Sequence, residues 1–111
     1  MRIEARLVRD IHILDFRGDI KFYSGVLTIR DAVHDVLNSG ANKILLNLSN
    51  VECIDEAGFA ELVSGDQKVC EQGGQLKFLD STKKLHELFL AAKFCKVFGI
   101  FESEQDAIDS F

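Results

Sequence analysis

A short, almost uninterrupted apolar run, Ile44-Leu45-Leu46 followed by Leu48, lies near the middle of this 111-residue chain. A strand with one wet face alternates apolar and polar residues, whereas a strand covered on both faces is apolar at nearly every position. The run therefore predicts a central strand of a parallel or mixed sheet. No other segment restricts the fold as strongly, because both faces of that sheet must be covered by other parts of the chain.

The rest of the chain alternates between the periods of strands and helices. Apolar residues at every second position, or in short runs, predict strands at residues 3–7, 11–16, 44–48, 76–79 and 96–101. Apolar residues three and four positions apart predict helices at residues 24–37, 55–70, 82–92 and 103–111, and residues 51–54 are predicted to be a connector. This order predicts a single α/β domain over residues 1–111, in which about four α-helices pack on a mixed sheet of about five strands with right-handed crossovers.

Composition and charge exclude several classes of protein. Lysine and arginine total 13 against 18 acidic residues, so the net charge is −5, and nucleic-acid binding, which needs a basic patch, is not expected. No apolar run approaches the roughly 18 residues of a membrane helix, so direct membrane insertion is not expected. The amino terminus also lacks an apolar signal segment. The 3 cysteines stand far apart, which favours free thiols packed in the core of a cytoplasmic protein.

Sequence motifs for catalysis, cofactors and metal ions are missing. The chain has no G-x-x-x-x-G-K-[ST] loop, no G-x-G-x-x-G fingerprint and no G-x-S-x-G nucleophile elbow. Its cysteines and histidines lack the spacing of a metal site. Asp55 and Glu56 are adjacent rather than facing, so an acid/base pair would need a third group such as His12 or His86. We therefore predict a binding protein rather than an enzyme, with no catalytic residue, cofactor or metal.

The most informative segment runs from Asn47 to Phe59, where the central strand passes through a short loop into a helix that opens with Asp55 and Glu56. Unpaired backbone N–H groups and the helix dipole favour negative groups at such a start, where a phosphate could also bind. On residue types alone, Asp55 is a helix N-cap and Glu56 a first-turn acid, together stabilising the protein by about 0.5–2 kcal/mol.

The ordered motifs of the chain resemble those of the STAS domain, the family of sulphate-transporter and anti-sigma-factor-antagonist domains. Its hallmark is an apolar strand that ends in Asp-Leu-Ser-x-Val, followed after about three residues by Asp-Ser-x-Gly at a helix start. This chain has Asn47-Leu48-Ser49-Asn50-Val51 and then Asp55-Glu56-Ala57-Gly58. Gly18-Asp19-Ile20, Gly73-Gly74-Gln75-Leu76 and the closing segment from Val97 to Ala107 also match. The resemblance implies a STAS-like fold over essentially the whole chain.

The resemblance also implies a function by protein binding. In bacterial single-domain members of the family, the serine of Asp-Ser-x-Gly is phosphorylated by an anti-sigma kinase, and the unphosphorylated form binds that kinase and frees the sigma factor. The implied partner is therefore an anti-sigma factor, a serine-kinase-like ATPase or a related signalling protein in a partner-switching pathway that regulates transcription. The alternative is a STAS scaffold subunit of a signalling complex or of a membrane lipid transporter, where phosphorylation is not needed.

Glu56 stands at the phosphoserine position and has no hydroxyl, so the usual switch cannot operate there, and Asn47 replaces the acid of Asp-Leu-Ser. Three interpretations stay open. Glu56 is a permanent partial imitation of the phosphorylated state, a direct contact for a partner with a basic pocket, or only a helix-start residue in a domain regulated elsewhere. Ser49 and Ser64 are alternative acceptors, although Ser49 is expected to serve a turn and Ser64 to lie on a polar helix face.

The resemblance places the partner face at the start of the second helix and on neighbouring loops. Within it, Phe59 is expected chiefly in the core, whereas the hydroxyl of Tyr23, at the edge of an element, is expected to stay wet. The candidate partner-binding residues are Tyr23, Ser49, Asp55, Glu56, Ala57, Gly58 and Phe59.

The acidic excess lies close to this face. Ten of the twelve acidic residues after residue 50 fall in two short stretches, Glu52, Asp55, Glu56, Glu61, Asp66 and Glu71, then Glu102, Glu104, Asp106 and Asp109. We therefore expect an acidic docking surface and a partner with a complementary basic face.

Overall fold

A computed structural model describes residues 2–20, 26–80, 87 and 100–111. Five strands form one sheet in the order β1-β2-β3-β4-β5, in which β1 and β2 are antiparallel and the later neighbours are parallel. The strands are β1 (Arg2–Val8), β2 (Ile11–Ile20), β3 (Lys43–Ile54), β4 (Gln75–Leu79) and β5 (Ile100–Phe101). The helices are α1 (Val26–Asn38), α2 (Glu56–Glu71) and α3 (Glu104–Asp109).

The mixed α/β architecture confirms the predicted fold class. Three helices are described rather than four, because the helix predicted over residues 82–92 lies outside the described residues apart from Glu87, which is helical. The predicted strand at residues 96–101 is described only from Ile100.

The central strand β3 is buried on both faces, as its apolar run predicts. Ile44, Leu45 and Leu46 each have 0% of their surface exposed. Ile44 and Leu46 face α1 and α2, whereas Leu45 faces the opposite side and shares a core cluster with Ile108 of α3. A run without polar residues is what a strand between two covering layers requires.

The second half of β3 differs from the prediction, because residues 51–54 continue the strand instead of forming a connector. Two residues of β3, 48 and 49, lie opposite the single residue Phe16, and the same two-to-one pairing recurs opposite residue 19. Each β-bulge shifts the alternation of side chains by one position. Val51 and Ile54 therefore join the helix-side core, while Asn50, Glu52 and Cys53 are exposed.

The first two helices each end at a glycine in the left-handed conformation. Gly73 has φ +77°, and its N–H donates to the carbonyl of Cys70, while the N–H of Gly74 donates to the carbonyl of Val69. This pair of bonds is the Schellman motif. Gly40, at φ +92°, ends α1 in the same way.

Two cysteines contradict the prediction that the thiols pack in the core. Cys53 and Cys70 are both exposed, and Cys95 lies outside the described residues. The buried residues of α2 are Gly58, Leu62, Asp66 and Val69, which lie on one stripe at helical spacing. Cys70, at the end of the predicted helix 55–70, does not lie on this stripe, and the stripe includes the polar residue Asp66.

Candidate functional site

The end of β3 leads directly into α2, and Asp55 forms the junction. Its backbone is extended, with φ −89° and ψ 178°, and its Oδ1 accepts a hydrogen bond of 2.8 Å from the N–H of Gly58. Its carbonyl accepts the first helical hydrogen bond, from the N–H of Phe59. The predicted N-cap is therefore confirmed.

The residues after the cap differ sharply in exposure. Glu56 is exposed, and within residues 2–20, 26–80 and 100–111 no side chain forms a hydrogen bond or ion pair with it. Ala57 is half-buried and Gly58 is buried, with its N–H bound to Asp55. Phe59 is half-buried and packs against the helix-side core, where it was chiefly expected. Of these residues, Glu56 alone is exposed to a partner.

The other two candidate residues lie elsewhere. Ser49 is half-buried at the first bulge of β3, so the expectation that it serves a turn was wrong. Its N–H donates a hydrogen bond of 3.1 Å to Oδ1 of Asn47, a local backbone-to-side-chain bond at the bulge. Tyr23 lies outside the described residues.

A polar network on the α3 side of the sheet was missed by sequence reasoning. Nε and Nη2 of Arg6 donate to the two carboxylate oxygens of Asp15 at 2.7 and 3.2 Å, and Arg6 also pairs with Glu104. Asn47 donates to Asp15 from Nδ2 at 2.7 Å. Burial alone would raise the pKa of Asp15, but the hydrogen bonds from Arg6 and Asn47 outweigh it and lower that pKa. One carboxylate thus joins β1, β2 and β3, and Arg6 extends the network to α3.

Arg6 of β1 and Arg9 of the following turn neutralise two acids of the second acidic stretch. Glu104 pairs with Arg6, and Asp109 accepts a hydrogen bond of 3.1 Å from Nη1 of Arg9. These contacts attach α3 to the antiparallel hairpin and engage two of the four acids in this stretch, while Glu102 and Asp106 are exposed.

Two acids of the first acidic stretch are also neutralised or buried. Glu61 pairs with Arg30 of α1, and this hydrogen-bonded ion pair raises the pKa of Arg30. Asp66 is 4% exposed. Of the six acids in this stretch, Glu52, Glu56 and Glu71 are exposed, and the first two lie at the start of α2.

His12, one of the two histidines that could complete an acid/base site with Asp55 and Glu56, lies far from both. Asp55 follows the last residue of β3, whereas His12 is paired with Ile44 near the first residue of that strand. Ten residues of strand separate the two places by about 30 Å, so His12 cannot act with Asp55 or Glu56. His86 lies outside the described residues.

Among residues 2–20, 26–80, 87 and 100–111, no group of three or more His, Cys, Asp or Glu side chains could hold a metal ion. No helix within them combines the length and apolar character needed to cross a bilayer.

Several known proteins are similar to this chain over nearly its whole length. An anti-sigma factor antagonist homologue of Thermotoga neapolitana is 24% identical over 104 residues, which cover 94% of this chain and 92% of that protein. The crystal structure of an anti-sigma factor antagonist from Thermotoga maritima superposes with a TM-score of 0.86 at 22% identity, covering 97% of this chain and 92% of that one. The unphosphorylated anti-sigma factor antagonist SpoIIAA of Bacillus gives a TM-score of 0.75 at 17% identity, covering 98% and 96%.

The family itself follows from the sequence match. The sequence pattern of the STAS domain matches residues 2–107, nearly the whole chain. The solved relatives share the same fold at TM-scores of 0.75 and 0.86. This chain therefore belongs to the STAS domain family, as its motifs indicated.

Proposed function

We propose that this chain is a non-enzymatic regulatory module that acts as an anti-sigma factor antagonist in a partner-switching pathway of the cytoplasm. The observation that carries the proposal is the start of α2, where Asp55 forms the cap and Glu56 projects an exposed charge without a partner among the described side chains. Such a charge on a well-ordered helix start is suited to pair with a cation on another protein. The Thermotoga relatives and the Bacillus neighbour, all named as anti-sigma factor antagonists, support the same class.

The proposed partner face consists of Asn50, Glu52, Cys53, Glu56 and Ala57, and we call it the α2-start surface. The bulges of β3 turn Asn50, Glu52 and Cys53 outward, just before the chain enters α2. It carries two exposed carboxylates and no lysine or arginine. The complementary partner is a basic pocket of an anti-sigma factor or a serine-kinase-like ATPase.

Of the three interpretations of Glu56, we favour direct contact with the partner. A role restricted to the helix start is less well supported, because the carboxylate of Asp55 already accepts the capping hydrogen bond. Imitation of phosphoserine is also less well supported, because one carboxylate carries about one negative charge, whereas a phosphate carries nearly two. A direct contact with a partner requires one charge on an exposed side chain, and Glu56 provides both.

Titration calorimetry against the purified cognate serine-kinase-like ATPase tests the proposal with Glu56→Gln, Glu56→Ser and Glu56→Lys. Loss of a direct contact should weaken binding by about tenfold for Gln and Ser, and further for Lys. The matched control is Glu71→Gln, which removes one exposed charge from the far end of the same helix.

The opposite results are also informative. Tighter binding of Glu56→Ser would show that Glu56 imitates the phosphorylated state, and unchanged binding of all three variants would remove Glu56 from recognition. Co-purification with a transporter ATPase instead of a kinase-like ATPase would favour the scaffold alternative.

A further inference from the structure

A shallow groove of about 330 Å³ lies between β1 and α1. Its floor is the helix-side face of the edge strand, where Ile3 and Ala5 lie beside Leu14, the cross-strand partner of Ala5 in β2. Ala5 is exposed, and Leu7, two residues further along the same face, is 61% exposed. Among the large apolar residues that the structure describes, Leu7 alone is exposed.

The dimensions of the sheet explain why this face is open. Neighbouring strands lie about 4.8 Å apart and a helix is about 10 Å wide, so one helix covers about two strands. α1 connects β2 to β3 and packs against α2, and the fully buried residues beneath both helices belong to β2, β3 and β4. β1 thus lies beyond the flank of α1, and no helix among residues 26–80 and 100–111 covers this face, which is wide enough for one further helix.

The wall of the groove is the flank of α1 that faces away from α2. Ala32 and Val36 form its apolar part, and Asp31 and Asp35 stand along it. Both aspartates are exposed, and neither carboxylate forms a hydrogen bond or an ion pair within the described part of the chain, although the neighbouring Arg30 interacts electrostatically with Asp31. Carboxylates four residues apart on a helix repel each other, so a cation between them would be stabilised.

We propose that this β1–α1 groove is a second docking surface, which binds one amphipathic helix of a partner protein whose apolar stripe is flanked by lysine or arginine. The stripe would pack on Ile3, Ala5 and Leu7, and a basic side chain would pair with Asp31 and Asp35. The groove is separate from the α2-start surface, because α1 lies between it and α2. The proposal therefore does not rest on the role of Glu56.

The test uses the full chain and a synthetic amphipathic peptide of about 18 residues, with leucines at helical spacing and flanking lysines. A twin peptide carries glutamate at every lysine position. Fluorescence anisotropy gives the affinity, and backbone amide shifts in ¹⁵N spectra locate the site. We expect the lysine peptide to shift the amides of Ala5, Leu7, Ala32 and Val36, and the glutamate peptide to bind at least about tenfold more weakly.

Two double charge reversals make the test specific. Asp31→Lys/Asp35→Lys should weaken binding of the lysine peptide by about tenfold or more. Glu71→Lys/Asp106→Lys changes the net charge equally at exposed positions outside the groove and should alter binding by less than about twofold. Circular dichroism checks that both variants keep their fold.

Several results would overturn the proposal. They are equal binding of the two peptides, unchanged binding by Asp31→Lys/Asp35→Lys, shifts confined to the α2-start surface, and no binding of the lysine peptide up to about 1 mM. Sedimentation of the wild type and of Ala5→Arg tests whether a second copy of this chain occupies the groove. A dimer that Ala5→Arg converts to a monomer would show that a second copy fills the groove, and this too would overturn the proposal.

Discussion

The side-chain amide of Asn47 donates a hydrogen bond of 2.7 Å from Nδ2 to Oδ1 of Asp15 on the neighbouring strand. Its Oδ1 accepts the N–H of Ser49 at 3.1 Å, within the first bulge of β3. The amide thus uses its donor to bind a carboxylate and its acceptor to hold the bulge. An ionised aspartate could keep the second bond but not the first, because it has no hydrogen to donate. This explains why asparagine suits position 47 when Asp15 is its neighbour.

Asn47→Asp should therefore destabilise the protein near neutral pH. The substitution retains the bond to Ser49 but places a second carboxylate against Asp15, which loses a donor and gains a repulsive neighbour. We expect the free energy of unfolding to fall by about 1–3 kcal/mol. Urea denaturation measures it. The double variant Asp15→Asn/Asn47→Asp, which restores one amide and one carboxylate, should be less destabilised than the sum of its single changes, and a merely additive result would argue against this explanation.

The same carboxylate makes part of the stability depend on pH. The pKa of Asp15 in the folded protein is lower than its ordinary value, so its contribution is fully present above the unfolded pKa near 3.8. It is lost as the pH falls through the folded-state pKa. In urea denaturation from about pH 7 to about pH 2.5, Asp15→Asn should lose less stability on acidification than the wild type does. Asp10→Asn is the control, since Asp10 also has a lowered pKa, owing to its bond with Lys43, but is exposed.

Arg6 should determine how firmly α3 is attached to the sheet. Its guanidinium binds Asp15 with two nitrogens and also pairs with Glu104, which an ammonium cannot do with the same geometry. Arg6→Lys should speed amide hydrogen exchange in α3 by a few fold. Arg9→Lys is the matched control, because Arg9 makes a single described bond to Asp109. Equal effects of the two changes would contradict a special role for Arg6.

Much of the fold was predictable because its signals are local. The burial of both faces of β3, with Ile44 on one side and Leu45 on the other, follows from an apolar run, and the end of α1 follows from Gly40. The end of β3 was missed because Leu48, Val51 and Ile54 stand three residues apart, a spacing that fits neither a regular strand nor a helix of that length. Only pairing with β2 reveals the bulges that create it.

The candidate site was predictable to a smaller extent. Asp55 was recognised as a cap because capping depends on residues within one helical turn. The neutralisation of Glu61 by Arg30 and of Glu104 by Arg6 was not, because the partners are 31 and 98 residues apart in sequence. Counting acidic residues therefore overestimated the unpaired acidic charge, whereas the exposure of Glu56 agrees with the local pattern.

Gly74 should tolerate no side chain. An added Cβ would lie 2.9 Å from the carbonyl oxygen of Asn42 and 2.9 Å from Cγ1 of Val69. Gly74→Ala should therefore cost about 2 kcal/mol or more, because backbone has to move. Gly73→Ala meets no atom within 4 Å, but its φ of +77° gives it a cost of about 1 kcal/mol. Thermal melts of the two variants compare the steric penalty with the conformational one. A smaller loss of stability for Gly74→Ala than for Gly73→Ala would contradict this packing.

Substitutions of the two acids at the start of α2 should affect different properties, the stability of the protein for Asp55 and the affinity for a partner for Glu56. Asp55→Ala removes the acceptor of the Gly58 N–H and should lower the free energy of unfolding by about 1 kcal/mol, whereas Asp55→Asn keeps an acceptor and should cost less. Glu56→Gln removes only an exposed charge and should change stability by less than about 0.5 kcal/mol. Urea denaturation gives these values, and calorimetry with the kinase-like ATPase gives the affinities. A cap and a docking charge have distinct roles only if Glu56→Gln weakens binding while leaving stability nearly unchanged. A loss of stability for Glu56→Gln as large as that for Asp55→Ala would instead make Glu56 part of the cap.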